Sequence, residues 1–130
     1  MTLMSSTLAL QLAMVLTVTL GLTHSLLGEW LIFRHLRDGR LVPTIESPRL
    51  RERQLRITWA SWHLVTLLGW TLAGLLWQLA ELDQPALNDR LLPLIQLGLG
   101  SSAVLVLYAT RGRHPGWLVL GVITLVLSWA

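Results

Sequence analysis

The sequence predicts an all-α integral membrane protein, a four-helix bundle made of two transmembrane hairpins, and three observations predict it. Hydrophobic residues are 53% of the 130, charged residues 13%, and mean hydropathy is +0.59; a soluble domain carries about a quarter charged residues. Uncharged apolar runs recur that match the roughly 20 helical residues needed to cross a hydrocarbon core of about 30 Å. The basic residues fall in alternate connections, as they do when only one side of a membrane collects arginine. The length allows one transmembrane domain over residues 1–130 and no more.

Each element follows from the residues in turn. Met1 to Gly28 contains no charge, and the first span is expected over about residues 8–33. Arg34, His35 and Arg37 close it at the interface, and Asp38-Gly39 supplies a stop. The start lacks a basic leader, its apolar run is too long, and no small-x-small site follows, so retention rather than cleavage is expected. Residues 34–56 form a basic cytoplasmic connector broken by Pro43. Ser47-Pro48 reads as an N-cap with proline at the first helical position, and Arg49, Arg51, Arg53 and Arg56 lead into the second span at about 57–80. Trp59 and Trp62 stand at its start and Trp77 near its end, in the manner of interfacial anchors. Glu81 to Arg90 reads as a polar, acidic loop. The third span is expected over 91–110, with Pro93 tolerated in its first turn. Arg111-Gly112-Arg113 is a tight basic turn, and residues 114–130 form a fourth, short span.

Orientation follows from the arginines, the chain having no lysine. Seven lie between spans one and two, two between spans three and four, and one in the acidic loop. The two basic turns then share the cytoplasmic side, and both termini face the periplasm. With the net charge of +3 gathered mostly in one connector, no nucleic-acid footprint is indicated. The connector arginines instead suit anionic lipid headgroups or a docking partner. The absence of cysteine excludes disulfides and thiolate metal sites.

Chemistry concentrates at the cytoplasmic end of the first two spans. His24 lies ten residues before Arg34 and His63 seven after Arg56, which puts them about 15 Å and about 10 Å deep. Glu29 lies between His24 and the surface. Ionisable groups at such depth are functional candidates because hydrocarbon penalises them. Trp59, His63, Trp70 and Gly74 form one stripe, and Gly21, His24 and Gly28 form another whose small residues allow close helix approach. His24 and Glu29, five apart, diverge by about 140° around the helix, whereas Ser25 and Glu29 share a face. His24 is therefore expected to pair with His63, and Glu29 to be either an ordinary interfacial carboxylate, snorkelling or paired with an arginine, or a second partner in the site, for Arg56 or His63.

Three roles remain open for these groups. The histidines fix the bundle by an interhelical hydrogen bond; or His24 and His63, with Glu29, hold a transition metal or haem; or they relay protons or bind a quinone headgroup. Ser25, Tyr108 and His114 are placed as further polar groups of the site, with His35 and His114 also readable as ordinary interfacial side chains. No H-E-x-x-H spacing, nucleophile–base pair or phosphate loop is present, so no catalytic residue is assigned.

The His-Ser-x-x-Gly-Glu of His24 to Glu29, the arginine-rich connector and the pair Trp62-His63 resemble small uncharacterised four-helix bacterial inner-membrane proteins. That resemblance implies a fold and a location, with no activity attached. The expected function is a binding or accessory subunit, alone as an oligomer or within a larger membrane complex. A redox protein using His24 and His63 and a small transporter using Glu29 as a proton-coupled carboxylate are the competing expectations. The transporter is weakened because Glu29 lies near the interface rather than the midplane.

Overall fold

The computed structural model describes residues 3–45, 50–82 and 84–130. Four α-helices follow in order: α1 (Leu3–Leu31), α2 (Glu52–Leu82), α3 (Pro85–Thr110) and α4 (Gly116–Leu127), with one 3-10 turn, Phe33–Leu36, after α1. No strand is found among the described residues. Three helices are long and apolar enough to cross a membrane, over Ser6–Leu31, Glu52–Leu82 and Pro85–Tyr108.

The chain divides into two compact units, one of Met1–Leu20 with Thr71–Ala130 and one of Gly21–Trp70; α1 and α2 each contribute to both. In the first unit all four helices share one apolar core. Ala9, Leu10 and Ala13 of α1 meet Leu76, Leu79 and Ala80 of α2, Leu92 and Leu99 of α3, and Ile123, Val126 and Leu127 of α4. Alanine on α1 opposite leucine on its neighbours lets the backbones approach, which is how helices associate where no hydrophobic force separates them from lipid. α4 packs back along α3. The turn between them is closed by Arg111 in the left-handed region (φ 52°) and Gly112 (φ 74°), with the Gly112 N–H donating to the Leu107 carbonyl at 2.9 Å, the pattern of a Schellman stop.

The second unit is the end of an antiparallel hairpin: the last third of α1, the connector and the first two-thirds of α2. Gly39 turns the connector at φ 64°. The Thr44 and Ile45 N–H groups both donate to the Leu36 carbonyl, folding the segment back on the 3-10 turn. Phe33, Pro43 and Leu55 are buried. α2 opens with half of a capping box, the Gln54 side chain accepting from the Arg51 N–H at 3.0 Å, and with Glu52 in the first turn facing the positive end of the helix dipole.

Several boundaries differ from those the sequence suggests. Ser47, Pro48 and Arg49 lie outside the described residues; Leu50 and Arg51 after them are not helical, so α2 starts at Glu52 and not at the Ser47-Pro48 expected as its cap. The stretch expected as a polar loop is mostly helix: α2 runs to Leu82, and Pro85 starts α3 at a position where its missing N–H is harmless. Pro93 consequently sits inside α3 rather than in its first turn, leaving the Asp89 carbonyl without its i+4 donor. α4 has 12 residues, about 18 Å of helix, shorter than the segment expected.

Candidate functional site

The polar groups of the second unit form one connected network between α1 and α2. Ser25 and Glu29 project from successive turns of α1, and Trp59, His63 and Thr66 from successive turns of α2. At the centre is the Glu29 carboxylate. Its Oε1 accepts from the Trp59 indole N–H and lies 2.9 Å from His63 Nε2. Its Oε2 takes the Arg37 guanidinium, which the folded-back connector delivers. On the other side of the imidazole, His63 Nδ1 lies 2.9 Å from Ser25 Oγ. Ser25 Oγ is 2.9 Å from Thr66 Oγ1, and the Thr66 hydroxyl donates to the Gly21 carbonyl at 3.2 Å. A continuous chain Arg37–Glu29–His63–Ser25–Thr66–Gly21 results. Thr66 is 3% exposed, and the Glu29 and His63 side chains are 29% and 23% exposed.

Close backbone approach makes this possible. A Cβ on Gly28 would lie 2.6 Å from Trp62 Cε2, and one on Gly21 would lie 2.8 Å from Trp70 Nε1 and 3.3 Å from Thr66 Cγ2. Both glycines are thus indole seats on α1 facing α2. Trp62 also donates its indole N–H to the His24 carbonyl at 3.0 Å.

His24 is not paired with His63. Its ring stacks on Trp62 at 4.3 Å between centroids and 8° between planes, because it points away from the face that carries Ser25 and Glu29. The suggested alternative of Arg56 for Glu29 also fails: Arg56 bonds Glu52 one turn earlier, at 3.3 Å. Tyr108 belongs to the first unit and is 85% exposed. The His114 Nδ1 accepts from the Gly116 N–H at 3.1 Å, a local turn contact, and His35 accepts from Arg34. These two contacts are separate from the Glu29 network. Arg37, Trp62 and Thr66 belong to the site without having been singled out for it by the sequence. Thr66 lies one helical turn after His63, a spacing that could have revealed it. Arg37 carries no such signal, since the fold of the connector places it.

The donor set does not fit a metal or a bis-histidine haem. Both ring nitrogens of His63 face groups of this chain, the His24 ring lies flat on an indole, and no cluster of three potential ligands occurs among the described residues. The arrangement can instead hold two helices in register.

Fold and site together define a helical protein with three candidate membrane-spanning segments and a carboxylate–imidazole clamp between the first two. No protein family, curated protein or solved structure matches the chain.

Proposed function

We propose that this is a small multi-pass protein of a bacterial inner membrane, a four-span bundle acting as a binding or accessory subunit of a larger membrane assembly. The observation that carries the reading is the closure of the polar site. Both oxygens of Glu29 and both ring nitrogens of His63 face partners in the same chain, as befits a clamp rather than an open ligand position. Such a clamp stabilises a hairpin in lipid, where polar groups without partners are penalised by several kcal/mol. The work of the protein is then done by its outer surface. Among the described residues α3 buries only Leu92 and Leu99, fewer than α1 or α2, so α3 offers the most surface to lipid or to a neighbouring subunit. The exposed Arg51, Arg53 and Arg56 at the start of α2 meet anionic headgroups on the cytoplasmic side, and the termini face the periplasm.

Native mass spectrometry of the protein, extracted in mild detergent from its own membrane at its natural level, tests the subunit reading. A complex of fixed stoichiometry containing this chain and another membrane protein is the expected result. The chain running alone, under conditions that keep other assemblies of that membrane whole, overturns it.

A further inference from the structure

The hydroxyls of the network can be arranged in two ways, and the two differ by one proton. A carbonyl only accepts, so if Thr66 donates to Gly21 its single hydrogen is committed. Ser25 must then donate to Thr66, and Ser25 can only accept from His63 Nδ1–H. Glu29 already receives Arg37 and Trp59 and serves as the acceptor for Nε2. In this arrangement His63 carries a hydrogen on both nitrogens and is an imidazolium facing a carboxylate. In the opposite arrangement Thr66 donates to Ser25, Ser25 donates to Nδ1, and His63 keeps one hydrogen, on Nε2, for Glu29. Every link between side chains survives, and the loss is the Thr66–Gly21 bond, which at 3.2 Å is the longest of the chain.

We propose that His63 is a proton-binding site, with the Ser25 and Thr66 hydroxyls as a reversible pair that turns one way when the proton is bound and the other when it is released. Uptake adds one proton from water to Nδ1 and rotates two O–H bonds; no bond between heavy atoms forms or breaks. The charged and titratable groups around the site are Glu29 and His24 from α1 and Arg37 from the connector, with the Glu52–Arg56 pair further back along α2. The chain ends on a backbone carbonyl, which cannot pass a proton onward. The site is therefore a store and not a through-path. This goes beyond the clamp, which requires the contacts but no change of protonation.

The test is nitrogen NMR of the folded protein in nanodiscs, with histidine ring nitrogens labelled and titrated over about pH 5 to pH 9. His24→Gln, His35→Gln and His114→Gln, made singly, assign their own signals and leave His63 by elimination, so His63 itself need not be mutated. The expected result is a His63 ring protonated on both nitrogens at the acid end and on Nε2 alone at the alkaline end, with Ser25→Ala moving the Nδ1 resonance. One unchanging protonation state, or a neutral ring with its hydrogen on Nδ1, overturns the store; if Ser25→Ala still moves Nδ1, the clamp stands. If Ser25→Ala moves neither nitrogen, His63 is not in the network and both readings fall.

Discussion

At Gly28 the backbone of α1 comes up against the Trp62 indole, and this one position shows how closely the site depends on single atoms. A methyl group there would stand 2.6 Å from Trp62 Cε2, so the indole must leave both the His24 carbonyl and the His24 ring it stacks on. Overpacking of this kind costs about 1–3 kcal/mol, against a gain of about 1 kcal/mol when alanine replaces a helical glycine. A methyl group on Gly74 of α2 would have nothing within 4 Å, so the same exchange there meets only the gain. Thermal unfolding in detergent, followed by tryptophan fluorescence, is expected to show Gly28→Ala lowered by up to about 2 kcal/mol and Gly74→Ala unchanged or raised. Equal shifts would remove the close approach at Gly28. Single residues are also where the sequence is least evenly legible. Ser25 and Glu29 can be put on one face because they are four apart, and His63 on the stripe opposite. His24 misleads because depth says nothing of direction: it and His63 lie at similar depth, but its ring turns toward Trp62. Trp62 itself reads as an anchor in lipid, and its seat on Gly28 depends on how two helices meet, which no single-helix pattern contains.

At the scale of the element, apolar length alone locates the three long helices, because each carries an uncharged run of the length a helix needs to cross hydrocarbon. Helix ends are less legible. Asp89 and Arg90 look like loop residues by polarity, yet Pro85 starts α3 ahead of them and they become its opening turns. The end of α3 carries a testable strain. Arg111 occupies the left-handed region at φ 52°, where an L-residue with a Cβ is disfavoured by about 1–2 kcal/mol and glycine is not. Arg111→Gly should therefore stabilise the α3–α4 turn by about 1 kcal/mol, and Gly112→Ala, at φ 74°, should destabilise it by a similar amount. Denaturant unfolding of the two variants in one detergent gives opposite signs if the turn is built this way. A stabilised Gly112→Ala would rule it out.

For the whole molecule, the fourth helix decides where the chain ends. α4 has 12 residues, and Ser128, Trp129 and Ala130 continue it with N–H bonds to the carbonyls of Leu125, Val126 and Leu127. Adding these tighter turns gives about 24 Å, a few ångströms short of a core of about 30 Å. Mismatch of that size costs fractions of a kcal/mol per ångström and is met by local thinning or by flanking side chains that reach the interface. Trp129, 60% exposed, is suited to that role at one end, as are Arg111 and Arg113 at the other. The alternative, a helix lying in the interface, places poorly the apolar face that α4 buries in the shared core through Ile123, Val126 and Leu127: an interfacial helix needs a polar face of its own, and Gly116–Leu127 has no charged residue. A crossing α4 is thus what the proposed four-span bundle requires. The chain has no cysteine, so single cysteines are clean reporters of side. Cysteine at Asp38, in the connector, and at His114 should resist a membrane-impermeant maleimide in intact cells and react after permeabilisation. Cysteine at Ser128 should react in intact cells. If Ser128 and His114 label alike, α4 turns back without crossing, and the chain has three spans with its C-terminus on the connector's side of the membrane.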